Sequence, residues 1–276
     1  MTYLSGAADP GLLDRVHAFE RTVLCDRITD VVPLRGGVGV RHRDLPVAYD
    51  HNHLRYDAPP TAAEVLADAD AVLGGAGLAH RSVVVADDPA GERLIDALVA
   101  AGYTHSAQLA MVATGPAERG ARSADVATLD LATRVAAARA DWRRERPGWP
   151  DDTVDVLSRQ ATTLPGAAAV TFLGRRSGGA VVARADVIVR DGVGQVEDVV
   201  THPDHRGRGY ASALVLAGVG LARAAGAEVV FLRAEEGDWP QHLYRRLGFT
   251  DLGRAHTFLR EPRVAQAGGA NAVSSR

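Results

Sequence analysis

The spacing of apolar positions changes character repeatedly along the second half of the chain. Residues 170–173 and 180–189 are short apolar runs parted by Ser177, Gly178 and Gly179, which predicts two antiparallel strands joined by a turn. Residues 195–200 predict another strand, and residues 211–225 carry apolar side chains at helical spacing up to a stop at Gly226. Residues 229–232 read as a buried strand, residues 240–247 as a short helix ending at Gly248, and residues 256–259 as a final strand. Upstream, residues 129–145 and 153–164 predict helices split by the breaker Arg-Pro-Gly-Trp-Pro. Residues 263–276 lack periodicity and are expected to be a disordered tail. Strands alternating with helices predict an α/β fold on a mixed sheet.

The first half repeats part of this pattern. VVVADDPAGERLIDALVAAGY (residues 83–103) aligns without a gap to VVFLRAEEGDWPQHLYRRLGF (residues 229–249) at an offset of 146. Strand, acidic loop, short helix and Gly-aromatic stop coincide, as expected of a duplicated unit. Extended backwards, the same offset sets YDHNHLRY against QVEDVVTH, strand against strand. Two domains of one fold are therefore expected, residues 1–115 and 126–262, joined by a linker at 116–125. At this offset Arg206, Gly207 and Gly209 face Pro60, Thr61 and Ala63, and Tyr244 faces Leu98, so the second half is expected to be the working copy.

Composition narrows the class. A 276-residue chain with 46% hydrophobic and 24% charged residues suits soluble globular domains. A net charge of −3, with 34 acidic residues interspersed among 31 arginines and no lysine, argues against a nucleic-acid partner. No apolar run approaches membrane-spanning length and the N-terminus has no signal-peptide pattern, so a cytoplasmic protein, monomer or homodimer, is expected. Cys25 is the sole cysteine and, among Leu13, Val16, Val23 and Leu24, reads as a small buried apolar residue. His51 and His53 would share one strand face, but no third ligand stands at useful spacing, so no metal is expected.

The strongest chemical signal is VTHPDHRGRGYASALV, residues 200–215. A strand that stops near Pro203 and restarts as a helix near Gly209 leaves the first helical N–H groups unpaired, and those donors favour an anion. Glycines at 207 and 209 let successive amides converge into a nest, with Arg206 and Arg208 adding charge. No Gly-Lys-Ser/Thr ends the loop, which excludes a P-loop.

Arg206–Gly-Arg-Gly-Tyr-Ala211 resembles the Gln/Arg-x-x-Gly-x-Gly/Ala signature of the GCN5-related N-acetyltransferases (GNAT). Leu243-Tyr-Arg-Arg-Leu-Gly-Phe249 is similar to that family's Leu-Tyr-x-x-x-Gly-Phe segment, in the right order and at the right separation. The resemblance covers about residues 125–261 and, more faintly, the first half as a degenerate copy. It implies a GNAT fold in two tandem copies, and acetyl-CoA or a related acyl-CoA as donor. The pyrophosphate would sit on the amides of Arg206, Gly207, Arg208, Gly209, Tyr210 and Ala211, and the pantetheine arm would pair with the strand edge at Val199, Val200 and Thr201. The family splays its central strands at this point.

By the same resemblance, Tyr244 would protonate the departing thiolate. Glu197 and Asp198 are the candidate bases; adjacent strand residues face opposite ways, so one of the two would face the acceptor, and Glu197 is favoured. Trp142 and Trp149 lie in the loop between the two helices bordering the acceptor site, and Asp238 and Trp239 in a loop that departs from the family pattern. These four are candidate substrate contacts. The resulting expectation is transfer of an acetyl group to a primary amine of a small molecule or peptide; the alternative is a non-catalytic acyl-CoA-binding or partner-binding module.

Overall fold

The computed structural model describes residues 10–115 and 126–261. The expected linker at 116–125 and tail at 263–276 lie outside the described residues. In chain order the first elements are α1 (Pro10–Asp26), β1 (Asp30–Leu34), β2 (Gly37–Arg41), β3 (His53–Tyr56), α2 (Ala62–Ala69), β4 (Arg81–Val85), α3 (Asp88–Ala100) and β5 (Thr104–Ala113). They are followed by β6 (Ala127–Leu129), α4 (Leu131–Glu145), α5 (Asp151–Ser158), β7 (Ala169–Ser177), β8 (Ala180–Arg190) and β9 (Val193–Thr201). The last are α6 (Tyr210–Ala224), β10 (Val229–Glu235), α7 (Pro240–Arg246) and β11 (Phe249–Arg260). The expected helix at 153–164 is shorter: α5 stops at Ser158 and a 3-10 segment, Gln160–Gly166, with Pro165 inside it, carries the chain on.

Two compact units share the chain, and each takes one end of it. The larger contains the described residues up to Arg27 and those from Ala110 to Gly253; the smaller contains Ile28–Leu109 and the described residues from Arg254. The division by sequence order therefore fails at both ends. Helix α1 joins the larger unit because Val16, Phe19 and Val23 recur at helical spacing and are all buried in its core. Phe19 meets Phe231 of β10 edge-on at 5.5 Å, and Glu20 accepts from Arg233 Nε at 2.6 Å. Cys25, on the same helix, is half-buried, not the fully buried apolar residue expected.

In the larger unit β6, β7, β8 and β9 pair antiparallel in succession, and β10 runs parallel to β9. In the smaller unit β1, β2 and β3 are antiparallel, β3 is parallel to β4, and β4 pairs with the second half of β11. Each parallel pair encloses one crossover helix, α6 and α2 respectively.

The aligned segments agree in detail. Gly102 and Gly248, at offset 146, both end their helices with positive φ, 87° and 88°. The backward extension does not hold. Leu54 pairs with Val83 where Val193 pairs with Val229, so the two strands correspond at an offset of 139. The residue preceding α6 is Gly209 and that preceding α2 is Thr61, so Thr61, not Ala63, is the counterpart of Gly209.

Candidate active site

After Thr201 the chain makes one 3-10 turn, Pro203–His205, and reaches α6 through Gly207 and Gly209, with φ of 72° and 77°. An L side chain rarely adopts that backbone, which accounts for both glycines. A Cβ at either would meet no atom within 4 Å, so open space lies in front of the turn. No side chain caps α6, and its first backbone bond is Ala213 N–H to Gly209 C=O. The amides of Tyr210, Ala211 and Ser212 are left as donors. Arg206 Nε donates to Thr201 O at 3.3 Å and Arg208 Nη2 to Asp204 O at 3.2 Å, so both arginines fold back on their own loop.

The strands leading here part company. Pairing of β9 with β10 covers Val193–Gln195 against Val229–Phe231, yet β9 continues to Thr201 and β10 to Glu235. Among the described residues, Val199, Val200 and Thr201 thus present a backbone edge with no strand partner on the β10 side. Their other edge is occupied: Val200 pairs with Arg184 and Thr201 with Ala183 of β8. The Thr201 hydroxyl oxygen is buried and makes no hydrogen bond among the described residues.

A register shift between Arg184 and Asp186 places two residues of β9, Asp198 and Val199, against the single Ala185 of β8. Asp198 takes left-handed backbone, φ 51°. This bulge overturns the expectation that Glu197 and Asp198 face opposite ways. Glu197 pairs with Asp186, and directly paired residues share a face. Asp186 is bound by Arg134 of α4, and Asp198 accepts from the same arginine, so both carboxylates of β9 stand on the α4 side.

Their electrical surroundings differ sharply. Arg134 Nε donates to both Asp186 oxygens at 2.8 and 3.1 Å, and its Nη2 to Asp186 Oδ2 at 2.8 Å and to Asp198 Oδ2. Arg184 Nη1 donates to Asp198 Oδ2, and its Nε to Asp141 Oδ2 at 2.9 Å. Arg144 Nη2 completes the row at Asp141 Oδ1, 2.6 Å. Burial opposes charge on Asp198, but Arg184 and Arg134 outweigh it and hold the carboxyl below the ordinary carboxylate range. Glu197 makes no hydrogen bond to a described residue. Burial pushes it up to about 7, with the guanidinium of Arg27, at the end of α1, pulling the other way.

Tyr244, on α7, is 7% exposed, and its hydroxyl makes no hydrogen bond to a described residue. Burial, then the charge of Asp238, push the phenol up to about 12. Trp142 and Trp149 stack on each other at 5.8 Å with Arg146 over Trp149 at 5.4 Å, forming a packed corner. Asp238 is exposed and accepts from the Trp239 amide at 2.7 Å; Trp239 is 59% exposed. A shallow cleft beside β8 is lined by Asp141, Val182, Arg184 and Val200.

His51 and His53 do not share a strand: His51 ends a 3-10 turn, Tyr49–His51, and His53 opens β3. Among the described residues no group of three His, Cys, Asp or Glu side chains is placed to hold a metal ion. Sequence reasoning missed Arg27, Arg134, Asp141, Arg184 and Asp186. Arg184 and Asp186 did carry a signal, as charges two apart inside an otherwise apolar strand run.

Comparison with known proteins fits this geometry. Residues 135–249 match the acetyltransferase (GNAT) family, a family of acyltransferases, and form a GNAT domain within this chain. Among solved structures it is similar to a GCN5-related N-acetyltransferase from Kribbella flavida, at 22% identity and a TM-score of 0.63, covering 93% of this chain and 96% of that one. A functionally unknown conserved protein from Staphylococcus epidermidis ATCC 12228 superposes with a TM-score of 0.64 at 15% identity over 84% and 94% of the two chains. A GCN5-related N-acetyltransferase from Sphaerobacter thermophilus gives a TM-score of 0.56 at 17% identity over 83% and 78%. These likenesses speak for the fold. No curated protein matches the chain. No helix among the described residues is long and apolar enough to cross a membrane.

Proposed function

We propose that the larger unit transfers an acetyl group from acetyl-CoA to a primary amine by direct attack. The observation that carries this reading is the parting of β9 from β10 beside the uncapped start of α6. The open amides from Gly207 to Ser212 suit a pyrophosphate, and the free backbone edge at Val199–Thr201 suits an amide-bearing arm added like a strand. Acetyl-CoA supplies an activated thioester there.

The residues of the chain then divide the proton work. Glu197 takes the proton released by the attacking nitrogen, directly or through water. A carboxylate near 7 is a far better base than an ordinary one, and closes about half the gap to an ammonium group near 10. Asp198, bound by two arginines, has little basicity to offer. Tyr244 stays protonated across physiological pH and gives its hydroxyl proton to the departing sulfur. The apolar surroundings that raise the phenol also make a thiolate more basic. The acceptor is a small-molecule or peptide amine.

Acetyl-CoA is expected to raise the thermal midpoint of the full chain, and Gly209→Glu, which puts a carboxylate before the helix and strains its φ, to remove that shift. Release of free thiol with a panel of primary amines distinguishes transfer from mere binding. No stabilisation by millimolar acetyl-CoA would sink the reading; stabilisation without thiol release for any amine would leave an acyl-CoA-binding module.

A further inference from the structure

Asp198 is occupied in a way that the transfer of protons does not explain. Charges alternate along a hydrogen-bonded row: Asp186, Arg134, Asp198, Arg184, Asp141, Arg144. Helix α4 supplies Arg134 and Asp141, two turns apart on one face, and β8 supplies Asp186 and Arg184, two residues apart on one face. Helix cation meets strand anion, and helix anion meets strand cation. Both arginines also converge on a single oxygen, Asp198 Oδ2, in the middle. Arg134, Arg184 and Asp186 are each at most 5% exposed, so removing the central carboxylate leaves two buried guanidinium groups each one partner short. That carboxylate belongs to the residue whose left-handed backbone makes the bulge.

We propose that Asp198 is a positioning residue: held by Arg134 and Arg184, it locks the β9 bulge that sets Glu197 on the α4 side, and its fixed negative charge disfavours a second charge on Glu197. This rests on the reading of Glu197 as the base. The charged groups surrounding the pair are Arg27 from α1, Arg134 and Asp141 from α4, and Arg184 and Asp186 from β8.

The test uses the full chain and two readouts: the titration midpoint of the Glu197 carboxyl by carbon NMR, and the acid limb of kcat/KM for an amine that is turned over. Asp198→Asn keeps a side chain tolerant of left-handed backbone but removes the charge. Glu197 then loses a neighbouring anion and faces under-compensated arginines. Both the midpoint and the acid limb are expected to move to lower pH, by about one unit. Arg184→Gln deletes a cation from the same row and is expected to move both the other way; it serves equally if Asp198→Asn does not fold. An unmoved midpoint in the folded variants overturns the proposal. So does loss of turnover in Asp198→Asn with turnover kept in Glu197→Gln, which would make Asp198 the base. Wild-type protein that binds no acetyl-CoA would instead defeat the functional reading, while the NMR midpoints still judge the charge coupling.

Discussion

Helices α2 and α6 each cross over between a pair of parallel strands, and they begin in opposite ways. Before α2 stands Thr61, whose Oγ1 accepts from the Glu64 amide at 3.2 Å while Glu64 Oε2 accepts from the Thr61 amide at 2.8 Å. Two of the orphan donors are satisfied within the chain, and a carboxylate sits where an anion would bind. Those amide and hydroxyl bonds hold the Glu64 carboxyl below its ordinary range, so the charge is permanent at neutral pH. Before α6 stands Gly209, which offers no cap at all. The strands differ to match. β3 stays in register with β4 to its last residue, Tyr56, whereas β9 runs six residues past its last partner on β10. One crossover is closed by its own side chain and strand pairing, and the other is open, as the proposed acetyl-CoA site requires.

The largest test of this contrast is at the helix that follows each second strand. Tyr244 and Leu98 occupy aligned positions and are both buried, 7% and 0% exposed. Tyr244→Phe removes only the hydroxyl, so packing is kept. Turnover should fall by roughly 10²–10⁴-fold, the usual worth of a general acid, while the acetyl-CoA dissociation constant changes little. Steady-state rates set beside thermal-shift titration measure both; equal turnover in the two proteins would remove Tyr244 from the chemistry.

A second test bears on which residues build the open unit. Phe19 lies in the first turns of the chain yet packs on Phe231 of β10. Phe19→Ala should cost about 3–5 kcal/mol, the range for a buried aromatic, and should weaken protection of β9 and β10 in hydrogen exchange while sparing β3 and β4. Equal loss in both strand pairs would contradict the assignment of α1 to the larger unit.

The smaller unit should respond to acid through His53. Burial, reinforced by Arg55, pulls this imidazole down to about 4, against 6.5 when exposed. The folded state therefore binds fewer protons than the unfolded one between those values. Stability is complete above pH 6.5 and declines as pH falls toward 4, by roughly 3 kcal/mol in total. His53→Gln should flatten that part of the pH–stability curve measured by chemical denaturation; an unchanged slope would mean that the ring is not held neutral.

How much of this was legible in the sequence follows from where each interaction is made. The loop glycines, the helix stop at Gly248 and Tyr244 are local signals, because backbone conformation and motif spacing are written in adjacent residues. The repeat was readable from residue 83 onward for the same reason. It slipped by seven residues upstream because the two halves differ in the length of strand before the crossover helix, which an ungapped offset cannot carry. The face shared by Glu197 and Asp198 was not legible, since a bulge breaks the two-residue alternation on which the expectation relied. The exchange of chain ends also escaped notice: the amphipathic face of α1 shows that it packs, but not in which unit. The arginine partners of Asp198 lie 64 and 14 residues away, and only the fold brings them to it.

The smallest expected effect separates a closed helix start from an empty one. Thr61→Ala removes the oxygen that receives the Glu64 amide, and should cost about 1 kcal/mol, the ordinary worth of such a cap. It frees one donor, yet no acetyl-CoA binding by the smaller unit should appear. Residues 59–61 are Pro-Pro-Thr where the larger unit has Gly-Arg-Gly, so the converging amides are absent; two prolines contribute no N–H at all. β3 also ends in register with β4, leaving no free edge for an added strand. A double variant, Gly209→Glu with Thr61→Ala, makes the point measurable because the larger site is then silent. Any remaining stabilisation by acetyl-CoA in that protein would show that the closed crossover was held shut by its cap alone, and that the pairing of β3 with β4 does not bar the ligand.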